Sequence, residues 1–157
     1  MGGGIVANFL LESDQASSVD AVVLDSPMLD LRATVSSAVA DAGVPPITRR
    51  LAVFLAALRF DVDWDGADYL ARAQEFSQPI LLFHGTADEI VPVELSDELA
   101  SALGSQVQYV RSEGAHHTGV WNASPEVYER ALGDFLTSEL GEPSAASPTC
   151  SAAAETS

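Results

Sequence analysis

Lysine is absent from this chain, and its 7 basic residues are all arginines, set against 23 aspartates and glutamates. The formal charge of −16 repels phosphate backbones and anionic lipid surfaces, so nucleic acid and anionic membranes are poor partners. Cysteine is nearly absent too. The lone Cys150 cannot form an internal disulfide, which fits a reducing compartment and makes a cytoplasmic location the expectation. No long hydrophobic run exists: the longest purely apolar stretch, Leu51 to Leu58, falls far short of the roughly 20 residues that span a bilayer. The start, Met1 to Gly4, has no basic residue ahead of its apolar stretch and so does not read as a secretory signal. No internal repeat is visible.

What is present suits one globular domain. The chain has 157 residues, 47% hydrophobic and 19% charged, enough for a real core. Helix-like and strand-like segments alternate, which predicts an α/β fold with a parallel sheet. Residues 20–25, 79–85 and 107–110 are short apolar runs rich in branched residues, as expected of strands covered on both faces. Helices are expected over 3–12, 30–42, 47–59, 66–76 and 93–103, the last closed by Gly104. A further helix starts at Ser124-Pro125-Glu126, a cap followed by proline and an acid, and stops near Gly141. Residues 141–157, rich in Ser, Ala, Pro and Thr, are expected to be a disordered tail.

Several local patterns suggest ligands. Asp61-Val62-Asp63-Trp64-Asp65-Gly66 opens like a calcium loop, but the twelfth position, where a bidentate Glu is needed, is Arg72. The segment reads better as an acidic connector with Trp64 and Tyr69 packing inward. The glycines at 2–4 do not match a dinucleotide-binding turn. His84, His116, His117 and Asp88 have no familiar zinc spacing. No metal or organic cofactor is implied. Taken locally, Asp88 reads as a residue that shapes a turn or caps the next helix, and the histidines as loop residues.

Three stretches together change that reading. They are MGGGIVANFLLES at Met1–Ser13, PILLFHGTADEIVP at Pro79–Pro92 and SEGAHHTGVWN at Ser112–Asn122. In this order they resemble the nucleophile turn, the acid turn and the histidine loop of the α/β-hydrolase superfamily, near its esterase-like and serine-aminopeptidase-like branches. The resemblance covers roughly residues 1–140 and implies the C-terminal half of that fold: about three parallel strands, flanking helices and a cap-like helical insertion at about 28–76. It implies Asp88 as the catalytic acid and His117 as the base, with His116 and Asp25 as less favoured alternatives and His84 as structural. Imidazole suits the base because its pKa lies near working pH, and a carboxylate on its other nitrogen fixes the tautomer.

The sequence also departs from the family. No G-x-S-x-G occurs anywhere, and the chain begins at the residue that would follow the serine. Met1 would then hold the oxyanion-hole position. The expected activity, in a protein that includes the nucleophile, is serine-mediated hydrolysis of small carboxylic esters or related acyl bonds. The chain alone is expected to be inactive, with a miscalled start or a gene fragment as the cause. Its apolar sheet edge would invite a separate N-terminal half or self-association.

Overall fold

The computed structural model describes residues 2–43, 45–60 and 63–141. Met1 and the expected tail over 142–157 lie outside the described residues. Three parallel strands form one sheet in the order β1 (Val22–Asp25), β2 (Ile80–Gly85) and β3 (Val107–Ser112). Val22 pairs with Ile80, and Ile80 in turn with Val107. The helices are α1 (Gly2–Glu12), α2 (Leu31–Asp41), α3 (Pro46–Phe60), α4 (Val93–Leu103), α5 (Val120–Ala123) and α6 (Pro125–Leu140).

Every residue of β2 is buried, because the strand is central and covered on both sides. The two-residue strand period divides its side chains between two cores. Ile80 and Leu82 pack with Ala7 and Leu10 of α1 and Leu99 of α4. Leu81 and Phe83 pack with Val120 of α5 and Phe135 of α6. Phe83 also stacks on Tyr128 of α6, with ring centroids 3.9 Å apart at 17°. The same period sends His84 to the α4 side, which matters for the site.

The free side of β1 is a different environment. Val22 and Ser26 donate their amides to the carbonyls of Pro79, just before β2, and of Phe83 within it, so Val23 between them turns its N–H and C=O to the open side. Val23 is 38% exposed, and the α1 residues Ile5, Val6 and Phe9 lie exposed beside it. Together with Val19 and Ala21 they line an apolar groove of about 450 Å³.

The expected helix over 66–76 does not form. Asp63 accepts the Gly66 amide (2.8 Å) and Asp68 accepts the Ala71 amide (3.0 Å), local bonds that compete with helix. Tyr69 donates its amide to Leu29, and Asp30 bridges Asp68, so the segment is tied to the stretch leaving β1. Only a short 3-10 turn, Ala73–Glu75, remains. Asp65 pairs with Arg32 (2.7 Å). The cap expected at Ser124 is positional only: its side chain makes no capping bond. Among the described residues, no helix is long and apolar enough to cross a membrane.

Candidate active site

The site lies at the carboxyl ends of β1 and β2, where open parallel sheets place their chemistry. After Gly85 the chain turns through Thr86 and Ala87 to Asp88. The turn is tied to the segment after β3 by three bonds: Thr86 N–H to Ser112 (2.9 Å), Ala87 N–H to Ala115 (3.0 Å) and Gly114 N–H to the Thr86 hydroxyl (2.8 Å). Gly85 is required for this approach, since a Cβ there would collide with the Ala115 carbonyl. The histidine-bearing loop is thus stitched directly onto the acid-bearing turn.

Asp88 is held from four directions. Oδ1 accepts the amides of Ile90 and Val91, both at 2.9 Å. Oδ2 lies 2.8 Å from Nδ1 of His117 and 3.2 Å from Nε2 of His84. Its side chain is 0% exposed. Burial pushes the carboxyl pKa up. The Val91 amide, the His117 ring and the Ile90 amide together outweigh burial, so the net displacement is downward and the group is a carboxylate. Asp88 therefore does shape its turn, as the local reading had it, and the same residue also reaches His117.

His117 is 25% exposed at its side chain. With Nδ1 engaged by Asp88, the tautomer that donates to the carboxylate leaves Nε2 as an acceptor, and Nε2 has no hydrogen-bond partner among the described residues. An imidazole so arranged can take a proton through Nε2 while the carboxylate stabilises the imidazolium. The loop behind it is anchored by a contact between two residues in left-handed backbone: Thr118 (φ 50°) donates its amide to the Ser26 hydroxyl (φ 47°) at 3.2 Å. Both conformations are costly for non-glycine residues.

The other sequence candidates fall around this pair. His116 points elsewhere: it is exposed and lies 3.2 Å from Glu89. Asp25 ends β1 near the pair without bonding it. Burial raises its pKa, partly offset by a Ser26 hydrogen bond and by His84 and His117, and its Oδ1 is buried without a partner. Met1, the expected oxyanion-hole position, is outside the described residues. His84 is fully buried and touches Asp88, a contact that the sequence alone did not reveal. Ser26, Ser96 and Gly85 were missed as well; the paired Asp25-Ser26-Pro27 at the end of a strand was the one available signal. Among the described residues no His, Cys, Asp and Glu group is arranged to hold a metal ion. A cavity of about 480 Å³ lies between α2 and α3, lined by Arg32, Ser36, Ser37, Arg50 and Val53 rather than by Asp88 or His117.

Comparison with known proteins fits this architecture. No curated protein matches the chain. Among solved structures it is similar to an esterase of Pyrococcus furiosus, at TM-score 0.60 and 19% identity, over 88% of this chain and 51% of that one. It is similar to a puromycin-hydrolysing peptidase of Mycobacterium tuberculosis, at TM-score 0.63 and 19% identity, over 91% of this chain and 22% of that one. An esterase of Rhodococcus sp. matches at TM-score 0.54 and 16% identity, over 87% of this chain and 62% of that one. The chain therefore spans about half the length of the Pyrococcus esterase and about a fifth of that peptidase. At these identities the likeness speaks for the fold, an α/β-hydrolase fold in part. Residues 62–147 match the profile of the TAP-like protein family, more than half of the chain. The chain belongs to the TAP-like family of the α/β-hydrolase superfamily.

Proposed function

We propose that this chain carries the acid and base of a serine hydrolase acting on carboxylic esters or related acyl bonds, in an assembly that also contains the nucleophile. The observation that carries the reading is the 2.8 Å contact between His117 Nδ1 and a fully buried, ionised Asp88, with Nε2 left open. His117 takes the serine proton as the acyl bond is attacked and returns it to the leaving group; Asp88 holds the ring and its charge. Such a pair without a serine has only water to act on, so the chain by itself is inactive. Helices α2 and α3, within the stretch of about 28–76 expected to be cap-like, serve as the cap in this reading. Residues 1–140 are then one partial hydrolase domain, and small acyl or ester compounds are the substrates.

Rescue is the test. The chain is produced alone and together with the sequence encoded immediately upstream of Met1, and both are assayed on nitrophenyl esters of varied chain length. Turnover is expected only with the upstream segment. In that active assembly His117→Ala lowers kcat by about 10⁴-fold, and His116→Ala leaves most of the rate. A His117→Ala protein that turns over at the unmodified rate would falsify the assignment.

A second reading is favoured by the free β1 edge and its apolar neighbours: a non-catalytic hydrolase remnant that works as an interaction module. In that case the upstream sequence contains no serine motif, the co-produced protein stays inactive, and the chain self-associates as concentration rises.

A further inference from the structure

His84 was expected to be a passive structural residue. Its surroundings give it a defined electrical role. The ring is completely buried at the end of β2. Nε2 lies 3.1 Å from the carbonyl oxygen of Val91 and 3.2 Å from Oδ2 of Asp88. Nδ1 lies 2.6 Å from the hydroxyl of Ser96 on α4. A carbonyl can only accept, so Nε2 carries a proton and donates it to Val91, with Oδ2 of Asp88 beside that N–H. Nδ1 is then an acceptor, and the Ser96 hydroxyl must donate to it. The alternative tautomer would set a bare nitrogen against two oxygens.

We infer that Ser96 and His84 form a positioning relay for Asp88: Ser96 fixes the tautomer of His84, and the Nε2–H of His84 holds Asp88 Oδ2 in line with His117. The inference rests on the reading of Asp88 and His117 as the acid–base pair. The carboxylate receives three N–H groups, those of Ile90, Val91 and His117, and the Nε2–H edge of His84, which donates to Val91, lies 3.2 Å from Oδ2 as a fourth, electrostatic contact. A carboxylate with these three donors and the His84 ring edge beside it does not draw the proton off His117, so it remains the ionised partner that an imidazolium needs. The relay also explains why a polar pair lies at the otherwise apolar junction of β2 and α4. Ser96 is completely buried, as is His84. The other ionisable group facing Asp88 is Asp25 from β1, which in turn faces Tyr128 of α6. The Asp88 charge adds to the upward displacement of the Asp25 carboxyl.

The test uses the chain as it stands, in which only three histidines contribute imidazole signals to an NMR spectrum. Ring nitrogen shifts report the tautomer of His84, and the side-chain carboxyl carbon of Asp88 reports its titration. The expected result is a neutral Nε2–H His84 in the unmodified chain. His84→Phe keeps a ring in place but removes the donor: the Asp88 midpoint climbs toward the ordinary aspartate value, and the Nδ1 proton of His117 exchanges faster. His84→Gln, whose amide restores a donor at the Nε2 position, keeps the midpoint low. Ser96→Ala loosens the tautomer and gives an intermediate midpoint. A residue that merely filled space would change the melting temperature and leave the midpoint alone. A folded His84→Phe chain with the unmodified midpoint and exchange rate overturns the relay. If His84→Phe does not fold, Ser96→Ala decides, and an unchanged tautomer with an unchanged midpoint overturns it equally. None of these readouts needs an ester to be cleaved, so failure of the rescue assay and failure of the relay are separate outcomes.

Discussion

Strand β2 and helix α3 are both strongly apolar segments, and the protein treats them differently. Along β2 all six residues are buried and both faces meet a helix layer. Along α3 the large side chains of Ile47, Leu51, Phe54, Leu55 and Leu58 are exposed, Phe54 by 63%. The free side of β1 resembles α3 more than it resembles β2, although β1 is hydrogen-bonded to β2 throughout. Apolar sequence therefore marks surface that must be covered without saying that this chain covers it. The Asp88–His117 corner lies on the finished side, where Asp88 accepts three N–H bonds and has the His84 ring 3.2 Å from Oδ2. The apolar surface waiting for cover lies along β1, α1 and α3.

That contrast can be broken or sharpened by measurement. The largest effect belongs to the finished side. Phe83→Ala removes a fully buried ring that stacks on Tyr128 and should cost roughly 3–5 kcal/mol in urea unfolding. Phe54→Ala on α3 should change stability by no more than about 0.5 kcal/mol. Equal losses at the two sites would mean that α3 is covered in solution. Next comes the β1 edge. Val23→Lys places a charge on the open side and should lower the average mass in concentrated solution, read by light scattering. An unchanged, monomeric mass in both proteins would show that the edge is harmless in the chain alone.

Two smaller effects separate the carboxylates that flank His84. Asp88 has a lowered pKa when folded, so it stabilises the fold above its ordinary value of 3.8, and this contribution is lost as pH falls through the folded value. Asp88→Asn should therefore be less stable than the unmodified chain at neutral pH, with the gap narrowing in acid. Asp25 has the opposite sign. Its folded pKa is raised, so its favourable contribution exists below 3.8 and is lost as pH rises through the folded value. Asp25→Asn should melt higher than the unmodified chain at neutral pH and show no advantage in strong acid. A shift in the same direction for both variants would contradict the different environments assigned to them.

The sequence was informative where the chemistry is local or periodic. The three strands, five of the helices and the parallel order follow from apolar runs and breakers, with ends shifted by one or two residues. It failed over 66–76, where helix-compatible residues turn instead because Asp63 and Asp68 bond their own backbone and Asp30 claims Asp68. Asp88 and His117 were legible only through three motifs in a family's order. Nothing local distinguished His117 from His116, yet one points into the carboxylate and the other out to Glu89.

By itself the sequence determined a charge that repels polyanions, an α/β alternation, and a chain with an acid turn and a histidine loop but no G-x-S-x-G. These are properties of composition, period and order, which survive without coordinates. Tertiary structure alone decided that Gly85 lets the histidine loop close on the acid turn, that Ser26 anchors Thr118, and that Ser96 and His84 stand behind Asp88. Each of those joins side chains or backbone from different elements, and the physical reason is the same in every case. A hydrogen bond of about 3 Å depends on where two elements are packed, and packing is set by the whole core rather than by the residues that make the bond.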